Sequence, residues 1–281
     1  MRVSDIVAAY DAGQNKYTGW RKTPSQTTAA GIWFDLSMST GQPVPNYYIG
    51  SIGTATRMAR STDGGLDHGP DVYPYIKCLN RILTIQVTAT AVPMPMILCD
   101  YLMFYPFLSQ DAGQFDMTNS VTIPRYTTGA GVQIMAVEVG AYVGGAQFYI
   151  LYTNSDGVSG RQSQTVTCNT QVVNGTIITS ASATAGCAGP FIPLQRGDTG
   201  VRSIESIVWL TSDVGLITLV LVKPLLTFTV YDISAPTEVS TIIDQGQPPV
   251  IKDDAYLNIL CLPSGTVASS AFIGELETFW S

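Results

Sequence analysis

The only histidine of this 281-residue chain, His68, lies in the stretch DGGLDHGPD. One histidine is enough for a Ser-His-Asp or Cys-His site, but no G-x-S-x-G elbow accompanies it, and the glycines around it read as a loop. Asp63, Asp67 and Asp71 in the same region could offer carboxylate oxygens to calcium. Their spacing does not follow D-x-[DN]-x-[DN]-G, so a solvated turn is the expectation. Glu275 and Glu277 in GELETFW fall on one strand face at i, i+2, where a glycosidase could place two carboxylates. The expected alternative is a solvated outer face beside a core-facing Leu276. HExxH, Walker A and GxGxxG patterns are missing, so no catalytic residue, cofactor or metal ligand is assigned.

The five cysteines, at 78, 99, 168, 187 and 261, form no CxxC pair and leave an odd count. They read as small buried hydrophobes in a reducing compartment, with a Cys168–Cys187 bridge as the alternative. Asn174-Gly175-Thr176 matches a glycosylation sequon, but Asn-Gly is expected to make a tight hairpin turn.

Composition shows what must hold such residues in place. Charged residues are 12% of the chain, about half the usual share, and 46% of residues are hydrophobic. A lone globule with so few charges exposes wide apolar patches, and such patches mark surfaces that bury against partners or lipid. Lipid fails on run length. The best stretches, VGLITLVLVKPLLTFTV from Val214 and AVPMPMILCDYLMFYPFL from Ala91, are cut by Lys223 and Pro224, and by three prolines and Asp100. No membrane partner is expected. The opening MRVSDIVAAYDAGQ lacks a secretory h-region and reads as a short helix, with Ser4 or Asp5 as N-cap and Gly13 just past its end, in a chain kept in the cytoplasm.

Residues 1–81 hold eight Lys/Arg and six Asp/Glu, and residues 82–281 hold six and fifteen. A basic-leaning arm could dock on a neighbour's acidic body. With a net charge of −7 and no basic run, nucleic acid is not expected as a partner.

The texture changes near residue 75. Residues 1–75 read as an N-terminal helix followed by an extended Gly/Pro/aromatic arm, and residues 76–281 as a β-sandwich, jelly-roll-like body. Ten β-branched runs between turn signals support an all-β, antiparallel sandwich or jelly roll. The aromatic cluster DYLMFYPF at 100–107 reads as core or interface. Leu216 to Val222 is apolar in both phases, so a second cover is required, and a neighbouring subunit could supply it.

Within the arm, the stretch GIWFDLSMSTGQPVPNYYIGS carries a single charge, Asp35. Trp20, Trp33, Phe34, Tyr47 and Tyr48 are aromatics of the kind enriched at buried interfaces, and Pro43 and Pro45 stiffen the backbone between them. The arm is expected either to clamp a neighbouring subunit through these seven residues or to wrap its own sandwich.

The short helix, this arm, the charge-poor β body and the closing YLNILCLPSGTVASSAFIGELETFW together resemble tailed-bacteriophage virion structural proteins. The resemblance is one of texture along the whole chain, with the opening and closing stretches nearest to a motif. It implies a non-enzymatic building block, and among such proteins a capsid decoration or cement protein fits the size and acidic body. It further implies a homo-oligomer, such as a trimer, bound to other virion proteins such as the major capsid protein, assembled in the host cytoplasm and carried in the virion. A tail or fibre receptor- or glycan-binding protein and a polysaccharide-degrading enzyme are the alternatives. The first usually carries a repetitive shaft or separable tip, and the second needs a carboxylate site.

Overall fold

The computed structural model describes residues 3–24, 27–87, 91–111, 113–140, 143–179, 189–269 and 271–281. The protein is an all-β sandwich of antiparallel sheets with one short N-terminal helix. Helix α1 (Val3–Asp11) has Ser4 and Asp5 in its first turn and stops ahead of Gly13, whose φ of +68° suits the left-handed region that glycine enters freely.

Three sheets follow. The first runs β14 (Thr237–Ser240), β5 (Lys77–Gln86), β17 (Phe272–Trp280), β1 (Asn15–Thr23), β3 (Thr40–Gln42), with β15 (Val250–Ile251) also on β5. The central sheet runs β2 (Phe34–Asp35), β16 (Tyr256–Cys261), β6 (Met94–Ser109), β13 (Leu216–Val230), β8 (Gln133–Gly140), with β4 (Thr56–Arg57) also on β6. The third runs β10 (Arg161–Gln162), β9 (Gln147–Asn154), β12 (Val201–Trp209), β7 (Gly113–Asp116), with β11 (Val166–Thr167) also on β9. Two further short helices are α2 (Arg60–Asp63) and α3 (Thr241–Gln245).

The long strands β6 and β13 make the frame. The runs GLITLVLVK and LLTFTVYDI, expected as separate strands, are one strand that passes through Pro224. The reason is positional: β8 pairs with β13 only from Leu216 to Val222, so the missing N–H of Pro224 removes no bond on that side. In β6, Pro106 and Phe107 are skipped between the pairs Tyr105–Leu219 and Leu108–Ile217, and Phe107 has φ +56°. That is a bulge, which absorbs a proline and bends the strand.

The run 164–180 also departs from expectation. Among its described residues only Val166–Thr167 is a strand. Asn174-Gly175 does form a tight turn, closed by Thr176 N–H to Val173 O at 2.9 Å. The chain leaving it bridges to β2 at Phe34 and β8 at Val137, and Asn169 of the incoming arm donates its N–H to Ile178 O at 2.6 Å. Gly175 lies so close to Phe34 that an added Cβ would meet the ring at 2.8 Å.

Side chains on the two faces of the central sheet enter different cores. Ile217, Leu219 and Leu221 of β13 pack with Phe148, Ile150 and Tyr152 of the third sheet. Further along, Leu226, Phe228 and Val230 pack with Leu79, Ile82 and Leu276 of the first sheet. In β6 the same succession holds at alternate positions, Met94, Met96 and Leu98 in one core and Leu102 in the other. Val220 and Val222 face the opposite way, onto Trp33, Met38, Tyr48 and Met58. The second cover that the apolar run at Leu216–Val222 required is therefore supplied by the chain's own residues 33–58, not by a neighbouring subunit.

Residues 1–75 accordingly do not stand outside the body. They contribute β1 to the first sheet beside β17, β3 to its edge, and β2 and β4 to the central sheet.

Candidate functional site

The sequence-derived chemistry resolves into structural pairs. His68 is fully buried, with Nε2 3.1 Å from Ala255 O and Nδ1 3.0 Å from the Nζ of buried Lys77. An amine donating to Nδ1 leaves Nε2 as the donor to the carbonyl, so the ring is neutral. Desolvation, reinforced by the charge of Lys77, depresses its pKa to about 4. Asp67 pairs with Lys16 at 3.5 Å and Arg60 at 3.2 Å, and Asp71 with Arg60 at 3.2 Å. Asp63 accepts from Ala59 N–H at 3.0 Å, closing α2. Among the described residues no group of three or more His, Cys, Asp or Glu converges as a metal site would require.

Glu277 is not on a solvated outer face. Helix α1 lies over that part of β17, and Glu277 is buried there, accepting from Tyr10 OH and from Arg81 Nε at 3.1 Å. Glu275, one strand position pair away, stays half-buried. Four cysteines, 78, 99, 168 and 261, are buried, as expected. The Cys168–Cys187 bridge involves Cys187, which lies outside the described residues.

The seven interface candidates divide. Trp20 and Phe34 are buried between the first and central sheets, and Trp33 and Tyr48 against the outer face of the central sheet. Pro43 and Pro45 are half-buried, and Tyr47 is exposed at 47%. Four of the seven thus make intramolecular contacts, and the surface keeps Tyr47 with Val44 and Ile49 beside it.

Beneath this segment lies a buried polar cluster built on Asp35, the lone charge of its stretch. Asp35 Oδ1 accepts from Ser37 N–H at 2.8 Å and Tyr101 OH at 2.6 Å. Oδ2 accepts from Ser37 Oγ at 2.6 Å and from Tyr48 OH. Burial raises the carboxyl above its ordinary value, and these donors oppose the rise. The neighbouring cation, Lys22, is also buried and donates to Ser39 O at 3.2 Å and Ser37 O at 3.5 Å. Desolvation lowers its pKa to about 8 against the pull of Asp35. In the sequence Asp35 stands out only as a single charge among apolar residues. A lone charge in an apolar run is itself the signal, since burial is tolerated only with partners.

Outside the cores, one group of exposed apolar side chains lies near the start of β5. Tyr73 is 89% exposed, with Tyr75, Ile76 and Val250 also exposed. Ile76 and Val250 line both of two adjoining clefts, one reaching Pro248 and the other Tyr73 and Lys252. On α3, just ahead in the chain, Ile243 is 82% exposed. The YPYI sequence at 73–76 straddles the change of texture near residue 75, and a short apolar run carries no local signal that distinguishes surface from core.

No family model matches this chain, and no curated protein matches it. Among solved structures, it has a weak likeness to the viral capsid protein VP2 of infectious bursal disease virus. For a D431N mutant VP2 in derived T=1 particles, the likeness spans 95% of this chain and 77% of the other at 8% identity, with a TM-score of 0.19. For the Gt strain of the same virus it spans 95% and 82% at 9% identity, with a TM-score of 0.17. At such scores the likeness establishes neither a shared fold nor a shared role. No described helix is long and apolar enough to cross a membrane.

Proposed function

We propose that the chain is a non-enzymatic structural protein of a virion, of the tailed-phage capsid decoration or cement type, which stabilises the shell through subunit–subunit contacts. The reading is supported by one observation above all: on a chain with only 12% charged residues, the aromatic and aliphatic side chains Tyr73, Tyr75, Ile76 and Val250 stand in solvent around adjoining clefts. Exposed apolar surface of this kind is costly to leave uncovered and is the usual mark of a protein-binding face. The partners are further copies of this chain, as in a trimer, and a major capsid protein. His68 and Glu277, whose side-chain types suit acid–base chemistry, are engaged in the fold.

Light scattering after size exclusion tests the reading. A discrete trimer or larger closed ring is expected, followed by sedimentation of the protein with capsids. A monomer that binds neither itself nor a capsid would overturn it.

A further inference from the structure

Two exposed apolar surfaces belong to opposite edges of the first sheet. At one edge β15 pairs with β5 on the side away from β17, and there Ile76, Pro248 and Val250 line a cleft of about 400 Å³ together with Cys78, Gly246 and Gln247. At the other edge the chain leaves β3 at Gln42 and continues through Pro43, Val44 and Pro45. Four strand spacings, about 19 Å, separate the two edges, and the paired strands between them hold them apart. One copy cannot cover its own cleft with the segment beyond β3.

That segment is fixed. Tyr48 is buried against the outer face of the central sheet, its N–H donates to Asn46 Oδ1 at 2.8 Å, and its OH donates to the buried Asp35. Asn46 N–H in turn donates to Ser37 O at 3.0 Å. Tyr47 and Ile49, on either side of this anchor, stand in solvent, Ile49 at 75% exposure. From Leu36 to Thr56 there is no Asp, Glu, Lys or Arg, and none lines the cleft at Ile76 and Val250. Covering one surface with the other would strip water from no charge, as suits the core of an interface. A segment already held in place also loses little freedom on docking.

We propose that Tyr47 and Ile49 of one copy seat in the cleft of Ile76 and Val250 on the next, so that the chain assembles head to tail. The inference rests on the assembly reading above and supplies its contact. Each copy offers a different surface at each edge, which makes the contact heterologous, and a heterologous contact closes into a ring when its rotation allows. Two clefts laid face to face would leave both hollows unfilled, whereas the anchored segment brings an aromatic and an aliphatic side chain to fill one. The buried Asp35 cluster acquires a role here: it holds Tyr48, and through Tyr48 it sets the position of the two exposed residues.

Complementation between two full-length variants, read by light scattering, tests this. One carries Tyr47→Ser and Ile49→Ser, the other Tyr73→Ser and Ile76→Ser. Each alone is expected at the monomer mass, and an equimolar mixture at raised concentration at twice that mass, because the mixture retains one intact segment and one intact cleft. A Tyr47→Ser, Ile49→Ser chain that keeps the assembled mass would overturn the proposal, as would a mixture that stays monomeric while the natural chain assembles. A natural chain that is itself monomeric would instead remove the assembly reading on which the proposal stands. If a serine variant fails to fold, chains carrying Ile49→Cys and Ile76→Cys are mixed and oxidised. A disulfide joining the two kinds of chain is expected, and one formed by the Ile76→Cys chain with itself would show that the clefts face each other.

Discussion

Glu138 lies on β8 with 1% exposure, and its Oε2 has no hydrogen-bond partner. Desolvation pushes its pKa from 4.5 up to about 8, against a backbone hydrogen bond at Val173. The folded state therefore holds a proton that the unfolded chain has lost between those values. A raised folded pKa gives stability that is fully present below about pH 4.5 and lost as pH rises to about 8. The urea midpoint should fall between pH 5 and pH 8, and Glu138→Gln, which cannot ionise, should remove most of that slope. Asp100 presents the opposite arrangement, a buried carboxylate with a partner. Arg125 grips it through Nε at 2.9 Å and Nη2 at 2.7 Å and also donates to the carbonyls of Met58, Tyr101 and Asp254. Burial still raises Asp100 to about 6, with Arg125 pulling the other way. Arg125→Met takes away the cation that keeps this buried carboxylate ionised, along with the bonds to three carbonyls, and should cost about 3–5 kcal/mol in denaturant unfolding at pH 7. The loss should shrink at pH 5, where Asp100 takes up a proton.

At the scale of elements, α1 acts as a lid on the outer face of the first sheet. Its Ile6, Ala9 and Tyr10 pack on Cys78 and Phe279, and Tyr10 OH bonds Glu277 while accepting from Asn80 Nδ2 at 2.6 Å. Cys78 is unreactive in this setting, since burial raises its thiol to about 11. Ala8→Pro places a proline inside the helix, at a cost of roughly 3 kcal/mol to it. Mass spectrometry after maleimide treatment should then show Cys78 labelled within minutes, with Cys99 and Cys261, deep in the other cores, still protected. Labelling of all three would mean that α1 supports the whole fold instead of covering one face.

For the whole molecule, the assembly proposed above rests on the exposed apolar rim at Tyr73 and Ile76. Their backbone N–H groups bond Asp253 and Ser281, so the side chains can be changed without touching those bonds. A Tyr73→Ser, Ile76→Ser variant should unfold within about 0.5 kcal/mol of the natural chain, as surface changes do. In light scattering it should shift from the assembled mass toward the monomer. An unchanged mass would move the assembly contact elsewhere on the surface, with Tyr47 and Ile49 the next to change.

The sequence by itself determined the all-β class, the places of most strands and the end of α1 at Gly13, because alternation, β-branching and glycine's access to positive φ are local properties. It also marked Asp35 as an unusual charge. Only the tertiary structure decided that Trp20, Trp33, Phe34 and Tyr48 pack inside their own chain, that Glu277 lies under α1, and that β13 runs unbroken through Pro224. Each of these depends on which segment, distant in sequence, lies across from the residue. An apolar or charged side chain carries the same local signal whether its cover comes from its own chain or from another, and only the packed arrangement distinguishes the two.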